Sequence, residues 1–335
     1  MPLTDPSLGT NTDQYSALLT TTLQNFQPQL VDNYSDATPF LWWMTQNERK
    51  RYVRGGTNIE VPLMYGGAEV QAFSGFDKLS TEPVEGIAPA SFLWKMYQVP
   101  VVISRDHETN NMSESQIISL VEAKVKQAEI SFREILNYDL INNGLTGTGN
   151  DNITVPDSLR VVGLTDICQI ATQARPYGGI SAASGAQTWW ANDIQDVTTS
   201  FASTGVEKMR SCYLNTSRGN DSPDLILSSQ TAYEKYDAVL VDDKRFVNTT
   251  AADAGFESLM YRGSTMLYDR DIAADFMFML NSNYLQLICH PDVDMMSTPF
   301  REAENQWARF SRIFWKGALV CSNRARQGLI DDCDV

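Results

Sequence analysis

Ser113–Asn143, SESQIISLVEAKVKQAEISFREILNYDLINN, carries the strongest periodic signal in the chain. Ile117, Val121, Val125, Ala128, Phe132, Ile135, Leu136 and Leu140 recur at steps of three and four, which places them on one apolar stripe of a helix. The opposite face is charged. Glu122 with Lys126 and Glu129 with Arg133 stand four apart, acid first, the orientation that supports a helix. Ser113 with Gln116 forms a capping-box start, and Asn142-Asn143-Gly144 supplies residue types that end helices in a left-handed conformation. Such a helix runs roughly 45 Å at 1.5 Å per residue, longer than a small domain needs, so an extended body is expected along it.

Working outward toward the amino terminus, Arg49-Lys50-Arg51-Tyr52-Val53-Arg54 is the only dense basic cluster. It is short and stands in an acidic background, so it reads as a salt-bridging site for a neighbouring acidic surface rather than a nucleic-acid patch. Gly55-Gly56 then opens a β region. Ile59, Val61, Leu63 and Tyr65 alternate as one strand, a second is expected over 69–73, and a longer return strand over 90–104, interrupted by Pro100. The polar excursion 74–83 lies between them. A long β ribbon of this kind is marginal by itself in water and needs a partner surface. Before it, residues 1–48 hold five acids and no lysine or arginine, with a short amphipathic stretch at 14–30. This segment reads as an arm that packs on something else, anchored by the apolar plug Pro39-Phe40-Leu41-Trp42-Trp43-Met44. Trp42 and Trp43 read first as core residues and a distant second as a ligand-stacking platform. Two extended pieces reaching from a body are the layout of a lattice-forming homo-oligomer.

Toward the carboxyl terminus, Gly144-Leu145-Thr146-Gly147-Thr148-Gly149 lacks the Gly-Lys-Ser/Thr ending of a phosphate loop and follows a helix, so it reads as a surface turn. A boundary between two units is expected near Tyr177-Gly178-Gly179-Ile180 and Trp189-Trp190. An α+β unit should follow: a helix over 193–212, a buried strand at 224–227, a helix over 230–241, a strand at 264–268, and a hairpin of 276–280 with 284–288 turned at Asn281-Ser282-Asn283. The stretch 307–319 reads as a strand returning beside the long helix, and Asp331-Asp332-Cys333-Asp334 as an acidic tail.

The composition limits function. With 335 residues, 43% hydrophobic and 20% charged, the chain can bury a sizeable core in two or three packed units. Lys plus Arg number 26 against 41 Asp plus Glu, a net charge of −15 that disfavours a continuous grip on nucleic-acid phosphates. No apolar run approaches a membrane span, and no signal-peptide layout opens the chain. The five cysteines are widely spaced and read as reduced thiols. His107 and His290 have no metal-ligand spacing and read as structural. Asp269-Arg270-Asp271 and Asp292-Val293-Asp294 fall short of the ligand density of a calcium loop, and their default reading is solvated carboxylates. No hydrolase elbow, zinc-protease or dinucleotide motif is present, so neither catalytic residues nor a cofactor is expected.

Taken together, Thr38-Pro39-Phe40, Gly55-Gly56-Thr57-Asn58-Ile59-Glu60-Val61-Pro62-Leu63, Gly75-Phe76-Asp77 to Thr81, Val101-Val102-Ile103-Ser104 into Asn110-Asn111, Tyr177-Gly178-Gly179-Ile180 with Trp189-Trp190, Pro223-Asp224-Leu225-Ile226 and the stretch 245–287 resemble the major capsid proteins of tailed bacteriophages, the HK97-type fold family. The resemblance covers nearly the whole chain and rests on the order and spacing of weak motifs. It implies an α+β fold with an N-terminal arm at 1–48, an extended E-loop at 49–105, a peripheral domain at 106–164 and 296–335 built on a spine helix at 113–143, and an axial domain at 165–295. It further implies self-assembly as hexamers and pentamers into an icosahedral shell around double-stranded DNA, held without sequence-specific binding, with assembly in the host cytoplasm and residence in the virion. A separate scaffolding protein and a portal are implied as partners, with a decoration protein as a further one. Some relatives crosslink an E-loop lysine, and Lys78 lies in the matching loop, where its ordinary reading is a solvated or salt-bridged side chain. Candidate intersubunit contacts are thus Trp42, Trp43, Arg49, Lys50, Arg51, Arg54 and Lys78. Two competing readings are an encapsulin-type cargo compartment, which shares the fold, and, remotely, a soluble α+β enzyme using scattered carboxylates.

Overall fold

A computed structural model describes residues 38–67, 69–78, 85–110, 120–142, 159–170, 175–183, 187–198, 200–239, 258–273, 276–304 and 306–333. The amphipathic stretch expected at 14–30, the capping-box residues Ser113 and Gln116, the turn expected at 144–149 and residues 240–257 lie outside the described residues.

The chain opens with helix α1 (Pro39–Gln46), which has proline at its first position, where the missing N–H costs nothing. Strands β1 (Lys50–Tyr52), β2 (Asn58–Met64), β3 (Ile87–Leu93) and β4 (Lys95–Ser104) follow, then the short helix α2 (Arg105–Asn110) and the long helix α3 (Leu120–Asn142). After a single turn, α4 (Leu164–Ile167), come β5 (Asp193–Asp196), α5 (Val206–Thr216), β6 (Leu225–Ser228) and α6 (Gln230–Val239). The chain closes with β7 (Ser258–Tyr261), β8 (Ser264–Tyr268), β9 (Met277–Leu280), β10 (Leu285–Cys289), β11 (Met296–Ser297), β12 (Arg301–Glu302), β13 (Ala308–Cys321) and β14 (Gly328–Asp331). The α+β class expected from the sequence is the class found.

Three sheets organise these strands. The first is built around β13, which pairs antiparallel with β4 over ten residues from Ala308↔Ser104 to Gly317↔Lys95, and also with β10, β11 and β12. Strand β1 adds to it in parallel beside β10. The second sheet runs β5-β14-β9-β6-β8-β7. Its central strands β6, β8 and β9 are buried on both faces, which explains their unbroken apolar runs. Alternate residues divide between two cores. Leu225, Leu227, Phe278 and Leu280 enter the main core, while Ile226, Met266, Met277 and Met279 enter a second one under α5 and α6, with Met209, Cys212, Tyr233 and Tyr236. The third sheet is the ribbon β2–β3 alone, in register from Asn58↔Leu93 to Met64↔Ile87.

The long helix is present as a 23-residue element that lies against β4 and β13. Its stripe is buried from the middle onward, at Ala128, Phe132, Leu136, Leu140 and Ile141, whereas Val121 near its start is exposed. Phe132 meets Tyr97 of β4 and Trp315 of β13 in a three-ring cluster with centroids 5.8–6.2 Å apart.

Several sequence expectations are corrected. Residues 69–73 form no strand; the last described bonds of the ribbon run from Tyr65 and Gly66 N–H to Gly86 O. The return strand breaks at Trp94 rather than at Pro100. Pro100 stays inside β4 because it occupies a position whose backbone points away from β13. Arg105 N–H donates to Trp307 O, so odd-numbered residues of β4 face β13 and even-numbered ones face the open edge. Residues 193–196 are strand, not helix, and the helix starts only at Val206, after a π-helical turn at 201–205. The proposed hairpin of 276–280 and 284–288 is a crossing between sheets: β9 belongs to the second sheet and β10 to the first. Asp224 drives that crossing, accepting from Ser282 N–H at 2.7 Å and from Ser282 Oγ at 2.5 Å. Nor is the carboxyl end a loose acidic tail, since Asp331 lies in β14 opposite Asp196, and Ile330 and Cys333 are buried. All five thiols are free and buried, and burial raises Cys289 and Cys321 to about 12.

Candidate assembly surfaces

The ribbon is two-faced. Ile59, Leu63, Ala90 and Phe92 are buried in the main core, the last two against the turn Tyr177–Ile180, which closes on itself by reciprocal backbone bonds. Ser91 N–H donates to Gly178 O, and Gly178 sits at φ +62° with the Phe92 ring and Ala90 methyl 3.0 Å from where a Cβ would stand. Only glycine permits that approach. Tyr177 is itself pinned, accepting through its carbonyl from Trp190 Nε1 and through its hydroxyl from Cys321 N–H.

The ribbon's other face and its extension are open and carry several bare apolar side chains among polar ones. Met64, Ile87 and Leu93 project from the strands, and beyond them Val70 is 94%, Phe73 66% and Phe76 105% exposed. An exposed apolar array this dense on a thin element marks an interaction surface. Asp77 accepts from Ser74 N–H and rounds the chain at Phe76. Lys78 follows, exposed, at the end of the described part of the loop.

The basic cluster is largely occupied inside its own chain. Lys50 Nζ donates to Asp294 Oδ2 at 2.5 Å, Tyr52 OH shares the same oxygen, Arg49 reaches Asn283 at 2.7 Å, and Arg54 stands 3.6 Å from Asp292. The Lys50 ammonium is held above its ordinary value. Burial opposes this, and the Asp294 carboxylate outweighs it. Arg51 points outward, exposed. Of the tryptophans, Trp43 is buried with Phe40 and Met44 in the main core, and Trp42 is half-buried against it.

Two polar networks escaped the sequence reading, and both sit on the long helix. Asp139, fully buried, receives Arg160 and the Tyr97 hydroxyl, and the Tyr97 oxygen in turn accepts from Val161 N–H at 2.8 Å. This ties the helix to β4 and to the segment before α4. Burial together with the adjacent Asp139 charge drives the Tyr97 phenol far above its ordinary range. On another face of the same helix, Asn137 donates to both Asp269 at 3.1 Å and Asp271 at 2.8 Å, and Asn142 donates to the Asp271 carbonyl. Burial pushes Asp269 up to about 6, against the bonds from Asn137 and from the Asp271 and Phe40 backbones. The signal was available: three polar residues, Asn137, Asp139 and Asn142, interrupt the apolar half of the helix. Asp269 and Asp271 are therefore structural acceptors rather than solvated carboxylates.

A cleft of about 470 Å³ opens where the end of β2 leans on the body, lined by Tyr65, Trp189, Arg218, Tyr284, Asn323 and Arg326 among others. Tyr65 stacks on Trp189 with centroids 5.0 Å apart. Among the described residues no cluster of His, Cys, Asp and Glu has metal-binding geometry, and no helix is long and apolar enough to cross a membrane. His290 caps a short turn, its Nδ1 accepting from Asp292 N–H.

No family model and no curated protein matches the sequence. Solved structures do match. The capsid asymmetric unit of cyanophage A-1(L) superposes with a TM-score of 0.68 at 17% identity, covering 93% of this chain and 98% of that one. The capsid of the native GTA particle gives 0.60 at 12% identity over 97% and 99%, and the SrpI encapsulin of Synechococcus elongatus PCC 7942 gives 0.57 at 8% over 95% and 94%. At such identities the likeness speaks for backbone architecture, and it extends over almost the full length of each chain. The protein has the HK97-type fold, the architecture of phage and GTA capsid subunits.

Proposed function

We propose that this protein is the major capsid protein of a tailed bacteriophage, assembling through hexamers and pentamers into an icosahedral shell around double-stranded DNA. The observation that carries this reading is the end-to-end match to the cyanophage capsid subunit, over 93% of this chain and 98% of the other. The exposed apolar extension of the ribbon, with Val70, Phe73 and Phe76, is a surface that burial against a neighbouring copy would satisfy. The net charge of −15 suits a wall that encloses a genome without gripping it. On this reading the protein is a structural component and not an enzyme. Its parts are an arm at 1–48, an E-loop at 49–105, a peripheral domain at 106–164 and 296–335, and an axial domain at 165–295. Arg51, Lys78 and Trp42 are its candidate contacts to neighbours, together with whatever share of Arg49, Lys50 and Arg54 is released from internal partners; Trp43 serves the chain's own core. A separate scaffolding protein, a portal and a decoration protein are its expected partners, with assembly in the host cytoplasm.

A second reading has an observation of its own: the encapsulin match over 95% of this chain makes a cargo compartment the alternative. Electron microscopy and light-scattering mass on the purified full chain, alone and co-expressed with a scaffolding partner, test both. Closed shells support the capsid or compartment, and their contents, DNA or a packaged protein, separate the two. A monodisperse monomer under both conditions overturns the assembly reading.

A further inference from the structure

The cleft beneath the end of β2 sets two arginines beside an aromatic wall, and their charge is only partly met by the described part of the chain. Arg218 projects exposed at its rim and makes no side-chain hydrogen bond or ion pair among the described residues. Arg326 donates Nη1 to Thr216 O at 3.1 Å, yet its Nε is buried with no partner. The nearby acid, Asp221, accepts from the Tyr284 hydroxyl and the Asn281 amide, each at 2.7 Å, and its carboxylate also acts on the Arg326 charge from a longer range, leaving Arg218 the freer of the two cations. Tyr65 and Trp189 form an apolar wall beside these two guanidinium groups. Arginine beside stacked aromatics suits a carboxylate carried on an apolar peptide.

Residues 1–37 have the complementary chemistry. They contain Asp5, Asp13, Asp32 and Asp36 and no Glu, Lys, Arg or His. The stretch Leu30-Val31-Asp32-Asn33-Tyr34 sets one carboxylate among apolar and aromatic side chains. Its attachment to the body runs through α1, whose far end approaches the cleft wall. The eight residues of α1 span roughly 12 Å, and just beyond them Arg49 touches Asn283, the neighbour of Tyr284 on the cleft wall. The arm must double back along α1 to return from Thr38 to the cleft, and tethering within one chain then sets its effective concentration there, on the order of millimolar for a short linker that spans the gap.

From this complementarity we infer that the cleft is the docking site for the chain's own acidic amino-terminal arm, with Asp32 meeting Arg218 and Arg326, and Leu30, Val31 and Tyr34 lying on Tyr65 and Trp189. The inference goes beyond the shell reading and is tested on the unassembled full chain, so the two can fail separately. Thr188→Cys places a thiol at the exposed lip of the cleft and Asn33→Cys one on the arm, while the five native thiols are buried. A short bismaleimide should join the two within one chain, identified by peptide mapping. Adding Arg218→Glu should slow the crosslink about tenfold, and adding Asp32→Arg to that variant should restore it. Arg218 is exposed and unpaired, so its reversal should leave the fold intact. A crosslinking rate indifferent to Arg218→Glu, or a loss that Asp32→Arg does not rescue, overturns the inference. So does a mixture of isotopically light and heavy chains whose crosslinks join light to heavy, since the arm would then come from a second copy.

Discussion

The ribbon β2–β3 and the sheet centred on β6 are both arrays of extended chain, yet they place their apolar residues in opposite ways. In the sheet, the apolar residues of β6, β8 and β9 enter one core or the other, and only Tyr268 at the end of β8 is exposed. In the ribbon, one face is buried on the Tyr177–Ile180 turn and the other, with its extension, is left bare. The difference teaches that folding of the subunit and engagement of a neighbour draw on separate residues. Substitutions should therefore divide into those that unfold the chain and those that leave it folded but solitary.

The largest effects should fall on the body. Arg160→Met strips a fully buried Asp139 of its cation and should cost about 3–5 kcal/mol, measured by urea unfolding of the subunit. Phe278→Ala, at the centre of the second sheet, should cost a similar ~3–5 kcal/mol. A loss under about 1 kcal/mol at either position would erase the contrast with the ribbon.

Asp269 gives an intermediate effect with a sign. Burial holds its folded value at about 6, above the ordinary 3.8, so the folded chain binds this proton more tightly than the unfolded one. Its contribution is most favourable below about pH 4 and is lost as pH rises through 6, by up to roughly 3 kcal/mol. Asp269→Asn should flatten the stability profile over that window relative to the parent chain. Identical slopes in the two proteins would mean that Asp269 titrates normally.

Gly178→Ala probes the clamp that joins the two regions. A methyl group at φ +62°, 3.0 Å from Ala90 and Phe92, should cost about 1–3 kcal/mol and raise hydrogen exchange at Ser91. Protection unchanged at that amide would show that the turn does not hold the ribbon. The smallest effect on stability should come at the ribbon's exposed end. Phe76→Asp should alter unfolding by less than about 0.5 kcal/mol while abolishing particles in a sedimentation assay. Wild-type particle yield from this variant would remove Phe76 from the assembly surface.

How much of this could be read from the sequence follows from how local each cause is. The long helix, β2, the buried β6 run and α6 each declare themselves within a dozen residues, through periodicity or an unbroken apolar run. The crossing at Asn281-Ser282-Asn283 does not, because the sheet that each flanking strand joins is decided by partners distant in sequence, β6 and β14 for β9 and β1 and β13 for β10. The 193–196 segment was mistaken for helix for the same reason: its pairing partner, β14, lies more than a hundred residues on. At the surfaces, the basic cluster was legible as a charge pattern, but its acids, Asp292 and Asp294, could be assigned to the same chain only by the fold. Asn137 and Asp139 carry no signal of their partners in the sequence, because Asp271 and Arg160 are brought opposite them only by the fold.

The five buried cysteines amount to a set of reporters already installed in the molecule. Cys168 and Cys321 lie in the main core, Cys212 and Cys333 in the second, and Cys289 on β10 between β1 and β13. Each can be alkylated only when its own neighbourhood opens, so the order in which they react under mild denaturant, read by mass spectrometry, would time the breathing of each layer without a single engineered label.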